Sequence, residues 1–93
     1  MAKKNELNLT VQPQALEAEQ AVLGSMLTTK EAVSKAIQWV SANQFYKDAH
    51  VRIFSCMSDL FDKGEPIDAI SVADRLKKKK ELEGVGGAYY ITG

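Results

Sequence analysis

Few residues in this chain could do acid–base or nucleophilic chemistry. His50 and Cys56 are each the single residue of their kind. Six positions apart on a helix, the imidazole and the thiol turn to different faces, outside hydrogen-bond reach of one another. That spacing argues against a Cys–His nucleophile. The inventory argues against a metal site, which would need further His or Cys ligands that the sequence lacks. Cys56 therefore reads as a semi-buried packing residue. His50, one turn into its helix, reads as a capping or surface contact rather than a general base. The carboxylate pairs Glu17 with Glu19, Asp59 with Asp62 and Glu81 with Glu83 accompany no polar cleft that the sequence identifies, so they read as solvated helix faces. The GxG at Gly84 and Gly86 lacks its third glycine, since Tyr89 holds that position, and no strand precedes it. The sequence contains no GxxxxGK[ST]. No catalytic, cofactor-binding or metal-ligating residue is predicted.

Two features could instead meet a partner. Lys77, Lys78, Lys79 and Lys80 form the one local run that invites a nucleic-acid or acidic-partner contact, each phosphate contact being salt-dependent. Asp74, Glu81 and Glu83 flank the run and no aromatic interleaves it. Lysines at a helix C-terminus complement its exposed carbonyls, so a solvated helix end is the favoured reading. The second feature is aromatic. Trp39 lies just off an apolar helical stripe, which favours packing at the core edge over a partner contact. Tyr89 and Tyr90 stand near the last residue, where an uncovered aromatic pair is a candidate interface.

The elements that must position these residues are helical. Met1 to Gln12 is polar and aperiodic and is predicted to be a flexible N-terminal arm ending at Pro13. From Ala15, the residues Leu16, Val22, Leu23, Met26 and Leu27 fall on one helical stripe. Thr28 stands three before Glu31, a capping-box spacing that predicts a second helix with Val33, Ala36, Ile37 and Val40 inward, forming a hairpin with the first. Phe45 and Tyr46 are expected to plug the core ahead of Asp48, a favourable N-cap. A third helix over 49–63, with Val51, Ile53, Phe54, Met57, Leu60 and Phe61, carries the densest apolar face and should be central, ending at Gly64. Ser71, three before Asp74, predicts a fourth helix from about 71 that carries the lysine run in its last turns and ends near Glu81-Leu82-Glu83. Gly84-Val85-Gly86-Gly87 reads as a turn. Ala88-Tyr89-Tyr90-Ile91 then reads as the opening of a further helix, as if the chain were cut in mid-domain.

Composition agrees with one small all-α bundle. The chain has 93 residues, 45% of them hydrophobic and 26% charged, close to globular averages. Twelve basic and twelve acidic residues cancel, which removes the bulk positive field of a domain that grips nucleic acid by charge. One cysteine and no apolar signal segment predict a cytoplasmic protein, and no apolar run reaches the ~20 residues of a membrane span.

The segment Pro13-Gln14-Ala15-Leu16-Glu17-Ala18-Glu19-Gln20-Ala21-Val22-Leu23-Gly24 closely resembles the opening of the N-terminal domain of bacterial replicative DNA helicases of the DnaB type. Phe45-Tyr46 with His50 and Ile53-Phe54, then Gly64-Glu65-Pro66-Ile67-Asp68, then Val85-Gly86-Gly87-Ala88-Tyr89 are similar to later motifs of that family, in order and at compatible spacing. The resemblance runs from about Pro13 to the end. It implies a compact helical head over 13–93, truncated before a long helical hairpin, in a ring-shaped hexameric helicase driven by ATP with Mg along single-stranded DNA. It places the ATP site in a separate C-terminal RecA-like domain and leaves the head to ring assembly and to docking sister subunits, primase and a helicase loader. Without the hairpin, the fragment is expected to be a monomer or a weak dimer. Ala15 departs from the small polar cap frequent in relatives, so the first helix is expected to start less firmly. Val22, Leu23, Phe45, Ile53, Phe54 and Ile67 are expected to pack, and Gly24 to permit close helix approach. A freestanding helical adaptor or DNA-binding module using Lys77 to Lys80 is the alternative. A small enzyme would need a polar pocket with a displaced pKa.

Overall fold

Pro13 opens the first helix, α1 (Pro13–Thr28), at a position where a missing backbone donor has no consequence and a fixed φ already suits the helix. Four more helices follow: α2 (Lys30–Trp39), α3 (Asp48–Asp62), α4 (Ala69–Lys78) and α5 (Gly87–Thr92). Short 3-10 turns lie at Ala42–Gln44 and Glu83–Val85. This is an all-α bundle, with no strand among the described residues. The computed structural model describes residues 13–92; the predicted arm, 1–12, lies outside the described residues.

Ala15 sits inside the first turn of α1 rather than at its cap, so the capping role expected there does not arise. Leu23 and Met26 are buried, but Val22 is 36% exposed and does not join the core. A single residue, Thr29, links α1 to α2. Thr29, not Thr28, is the N-cap: its hydroxyl accepts from the Ala32 amide at 3.2 Å. The Thr28 hydroxyl is already engaged on α1, donating to the carbonyls of Gly24 and Ser25. From α2, Val33 and Ala36 are buried against α1, with Ile37 and Val40 partly covered.

After the first 3-10 turn the expected aromatic plug splits. Phe45 is buried, its ring 5.2 Å from that of Phe54, while Tyr46 is exposed. Helix α3 packs against α1, α4 and both 3-10 turns, with Ile53, Phe54, Met57 and Leu60 buried. It is the central helix, as its apolar density predicts, although Phe61 stays exposed. Lys47 is its N-cap and Asp48 its first residue, paired with Arg52 at 2.8 Å. Gly64, at φ 68°, ends the helix, and the Glu65 amide donates back to the Leu60 carbonyl at 2.9 Å. That is the left-handed stop glycine favours.

Helix α4 starts earlier than Ser71, because Asp68 is its N-cap and accepts from the Ser71 amide at 2.7 Å. Val72 and Leu76 are buried, and Arg75 joins Asp59 and Glu65, tying α4 to the end of α3. The helix also stops sooner than predicted. Lys79 is its C-cap, Lys80 takes a left-handed φ of 63°, and the Glu81 amide closes the end on the Leu76 carbonyl at 2.8 Å.

Two glycines have opposite standing. Gly24 is exposed, and a Cβ there would meet nothing within 4 Å, so the close helix approach expected at this position is absent. Gly86 has φ 112°, and its Cβ would lie 2.9 Å from Cβ of Tyr90. Gly24→Ala is therefore expected to stabilise the domain by about 1 kcal/mol through helix propensity. Gly86→Ala should destabilise it by about 2 kcal/mol through backbone strain and collision with Tyr90. Thermal melts of the two variants, read side by side, check both signs.

Candidate functional site

The most organised polar cluster joins α1, the start of α3 and α5. Its centre is His50, a fully buried side chain with 0% exposure. His50 lies on the stripe with Ile53, Phe54 and Met57, so helix geometry sends it inward. An inward imidazole needs partners for both ring nitrogens. Glu19 of α1 supplies the first: His50 Nδ1 donates to Oε1 at 2.7 Å. Tyr90 of α5 supplies the second, with its hydroxyl 2.7 Å from Nε2. The Phe45 ring stands edge-on to the imidazole, with centroids 6.3 Å apart.

Glu19 does more than face the histidine. Its carboxylate also accepts from the Tyr46 amide at 2.6 Å and the Lys47 amide at 3.4 Å, fixing the backbone that leads into α3. Burial pushes its pKa up, but the Tyr46 amide, the His50 ring and the Lys47 amide together outweigh that and hold it below the ordinary 4.5. At the other end, the Tyr90 oxygen lies 3.1 Å from Gln20 Nε2 and 3.4 Å from Lys47 Nζ, and the same ammonium sits 4.9 Å from the Tyr90 ring centroid. A cavity of about 290 Å³ opens beside the network, walled by Leu23, Leu27, Ile53 and Ile91, with Gln20 and Gly24 also lining it.

This arrangement orders three helices and presents no free base, since both imidazole nitrogens are occupied and buried. It corrects the sequence reading of His50 as a capping or surface contact: the inward stripe was the available signal, while the partners lie 31 and 40 residues away. Cys56 is fully rather than partly buried, donating to the Val72 carbonyl at 3.8 Å. Burial pushes its thiol above the ordinary 9.0 despite the lowering pull of Lys79 and Arg75, the condition of an unreactive cysteine. Among the described residues, no group of three or more His, Cys, Asp or Glu could hold a metal ion, and no helix is long and apolar enough to cross a membrane.

The family model described as "DnaB-like helicase N terminal domain" matches residues 11–93. The chain belongs to the DnaB-like helicase N-terminal domain family. This DnaB-type domain is 40% identical over 79 residues to the replicative DNA helicase DnaB of Mycobacterium leprae (strain TN), covering 85% of this chain and 13% of that protein. Against the replicative DNA helicase DnaC of Bacillus subtilis (strain 168) it is 40% identical over 86 residues, covering 92% of this chain and 19% of the relative. The chain thus spans less than a fifth of the length of these two relatives. Its fold is similar to the crystal structure of the N-terminal domain of DnaB helicase from Mycobacterium tuberculosis, with a TM-score of 0.80 and 38% identity, covering 87% of this chain and 55% of that one.

The residues singled out from sequence are dispersed in the DnaB-type domain. Lys77 and Lys78 lie in the last turn of α4, Lys79 caps it and Lys80 follows in the left-handed turn, all four exposed. Lys78 pairs with Asp74 at 3.1 Å. Trp39 ends α2 at 75% exposure, which overturns core-edge packing as its role. The tyrosine pair divides: Tyr89 is 85% exposed, whereas Tyr90 turns in to His50.

Proposed function

We propose that residues 13–93 form the noncatalytic head of an ATP-dependent replicative DNA helicase, a ring-assembly and interaction module acting at the replication fork. The observation that carries this reading is the family match over 11–93 together with about 40% identity to proteins named replicative DNA helicase. Sister subunits, primase and a helicase loader are the partners, DNA is engaged through the parent ring, and the compartment is the cytoplasm. This chain's residues do not fit the nucleotide, because its sequence has no Gly-rich loop ending in Lys-Ser or Lys-Thr to cradle phosphates. ATP and Mg would be held by another domain of the parent. On this head, Trp39 and Tyr89 offer exposed aromatic anchors for assembly contacts.

The test is the reading frame after Gly93. It is expected to encode a helical hairpin and then a strand followed by GxxxxGK[ST], and the full product should form a ring with ATPase activity stimulated by single-stranded DNA. A stop codon directly after Gly93 would overturn the motor reading. Salt-sensitive binding of DNA by the 93-residue chain, lost on charge reversal at Lys78 and Lys79, would support the adaptor or DNA-binding alternative.

A further inference from the structure

The partners of the Tyr90 oxygen fix where the protons of the network lie. A phenol offers one O–H donor and two lone pairs. Gln20 Nε2 and Lys47 Nζ both donate to the Tyr90 oxygen, at 3.1 and 3.4 Å, and fill those lone pairs. The phenol hydrogen is left for His50 Nε2, 2.7 Å away. On the far side of the ring, the Glu19 carboxylate requires a hydrogen on Nδ1. Donors and acceptors therefore balance with the imidazole neutral and protonated on Nδ1 alone.

We infer that Glu19, His50 and Tyr90 form a proton-operated clamp on α5, closed with neutral His50 and loosened by a proton on Nε2. With the imidazolium, three donors converge on an oxygen that has two lone pairs. The phenol hydrogen then faces the Lys47 ammonium, which has no lone pair, and the Gln20 amide nitrogen, so it is satisfied only if the exposed Gln20 side chain gives up its own bond and turns its amide oxygen inward. The ring charge also joins that of Lys47 at the same oxygen. The groups facing the imidazole are Glu19 from α1, Tyr90 from α5 and the Phe45 ring, with Lys47 reaching it through Tyr90. Glu19 offsets the new charge at Nδ1, the side away from Tyr90. Helix α5 is only six residues long and packs on α4 and the second 3-10 turn, with Ile91 buried and Tyr89 in solvent, so the Tyr90 hydroxyl is its polar tie to His50 of α3. Such an element sits at the low-stability end of a fold.

The test uses the 93-residue chain. Side-chain ¹⁵N shifts of His50 report its tautomer and charge, while hydrogen exchange of the Tyr90 and Ile91 amides, corrected for intrinsic rate, reports α5. The expected result is the neutral Nδ1–H form where α5 is protected. Protection should fall about tenfold as His50 takes up its proton, while the Met57 amide at the centre of α3 keeps its own. His50→Gln, which cannot titrate, and Tyr90→Phe, which has no hydroxyl to overload, should both lack the step. A neutral Nε2–H ring, an imidazolium with α5 fully protected, or a ring that stays neutral until the whole chain unfolds would each overturn the clamp.

Discussion

Replacing Glu19 with alanine should lower the unfolding free energy by about 3 kcal/mol, seen as a lower urea midpoint with an unchanged slope. The substitution removes the acceptor for the amides of Tyr46 and Lys47 and leaves Nδ1 of a fully buried histidine without a partner. Hydrogen bonds to a charged group are the stronger ones, and an orphaned buried donor adds its own desolvation cost. Glu19→Gln keeps an acceptor oxygen while losing the charge, so a smaller loss of about 1.5 kcal/mol is expected. The pair also resolves acid stability. Because the folded carboxyl titrates below its ordinary 4.5, its stabilisation is complete above that value and is lost as pH falls through the folded pKa. Glu19→Gln should flatten that part of the acid limb, and superimposable acid limbs for wild type and Glu19→Gln would assign the acid sensitivity elsewhere.

Met57→Ala should cost more, about 4 kcal/mol. Met57 has 0% exposure at the middle of the central helix, so its truncation both returns less apolar area to the core and leaves a cavity between neighbours that relax only partly. A domain of this length has roughly 5–14 kcal/mol in total, so the variant should be near its unfolding threshold at 37 °C. Met57→Leu, close in volume, should cost less than about 1.5 kcal/mol. Phe61→Ala, on the same helix but at the exposed edge, gives the surface comparison. Equal losses for Met57→Ala and Phe61→Ala would count against Met57 as the dry centre of that helix's buried face.

Periodicity made the first four helices and the rank of α3 legible, because each buries a stripe at i, i+3 and i+4 spacing. Caps were harder. Thr28 and Thr29 both offer a hydroxyl ahead of α2, and the choice falls to Thr29 because Thr28 is spent on α1 carbonyls. Asp68 and Ser71 compete similarly before α4, and the Ser71 amide turns out to be the donor capped by Asp68. Val22 falls on the apolar stripe yet is exposed, because α1 carries apolar residues over a broad arc within which a stripe does not select its true centre. The Glu19, His50 and Tyr90 cluster was illegible for a different reason. Its members lie on three helices, and nothing local to any one of them specifies the others. Family membership, by contrast, was legible from ordered motif blocks even where the roles of individual residues within those blocks were misassigned.

The position of Trp39 has a spectroscopic consequence. It is the chain's single tryptophan, held at the end of α2 with 75% exposure. Its indole meets water in the folded and the unfolded chain alike, so its emission maximum should shift little on denaturation. That indifference makes it a quiet background against which a blue shift would report dry contact at this corner. The same fluorophore that is nearly blind to folding would then register docking.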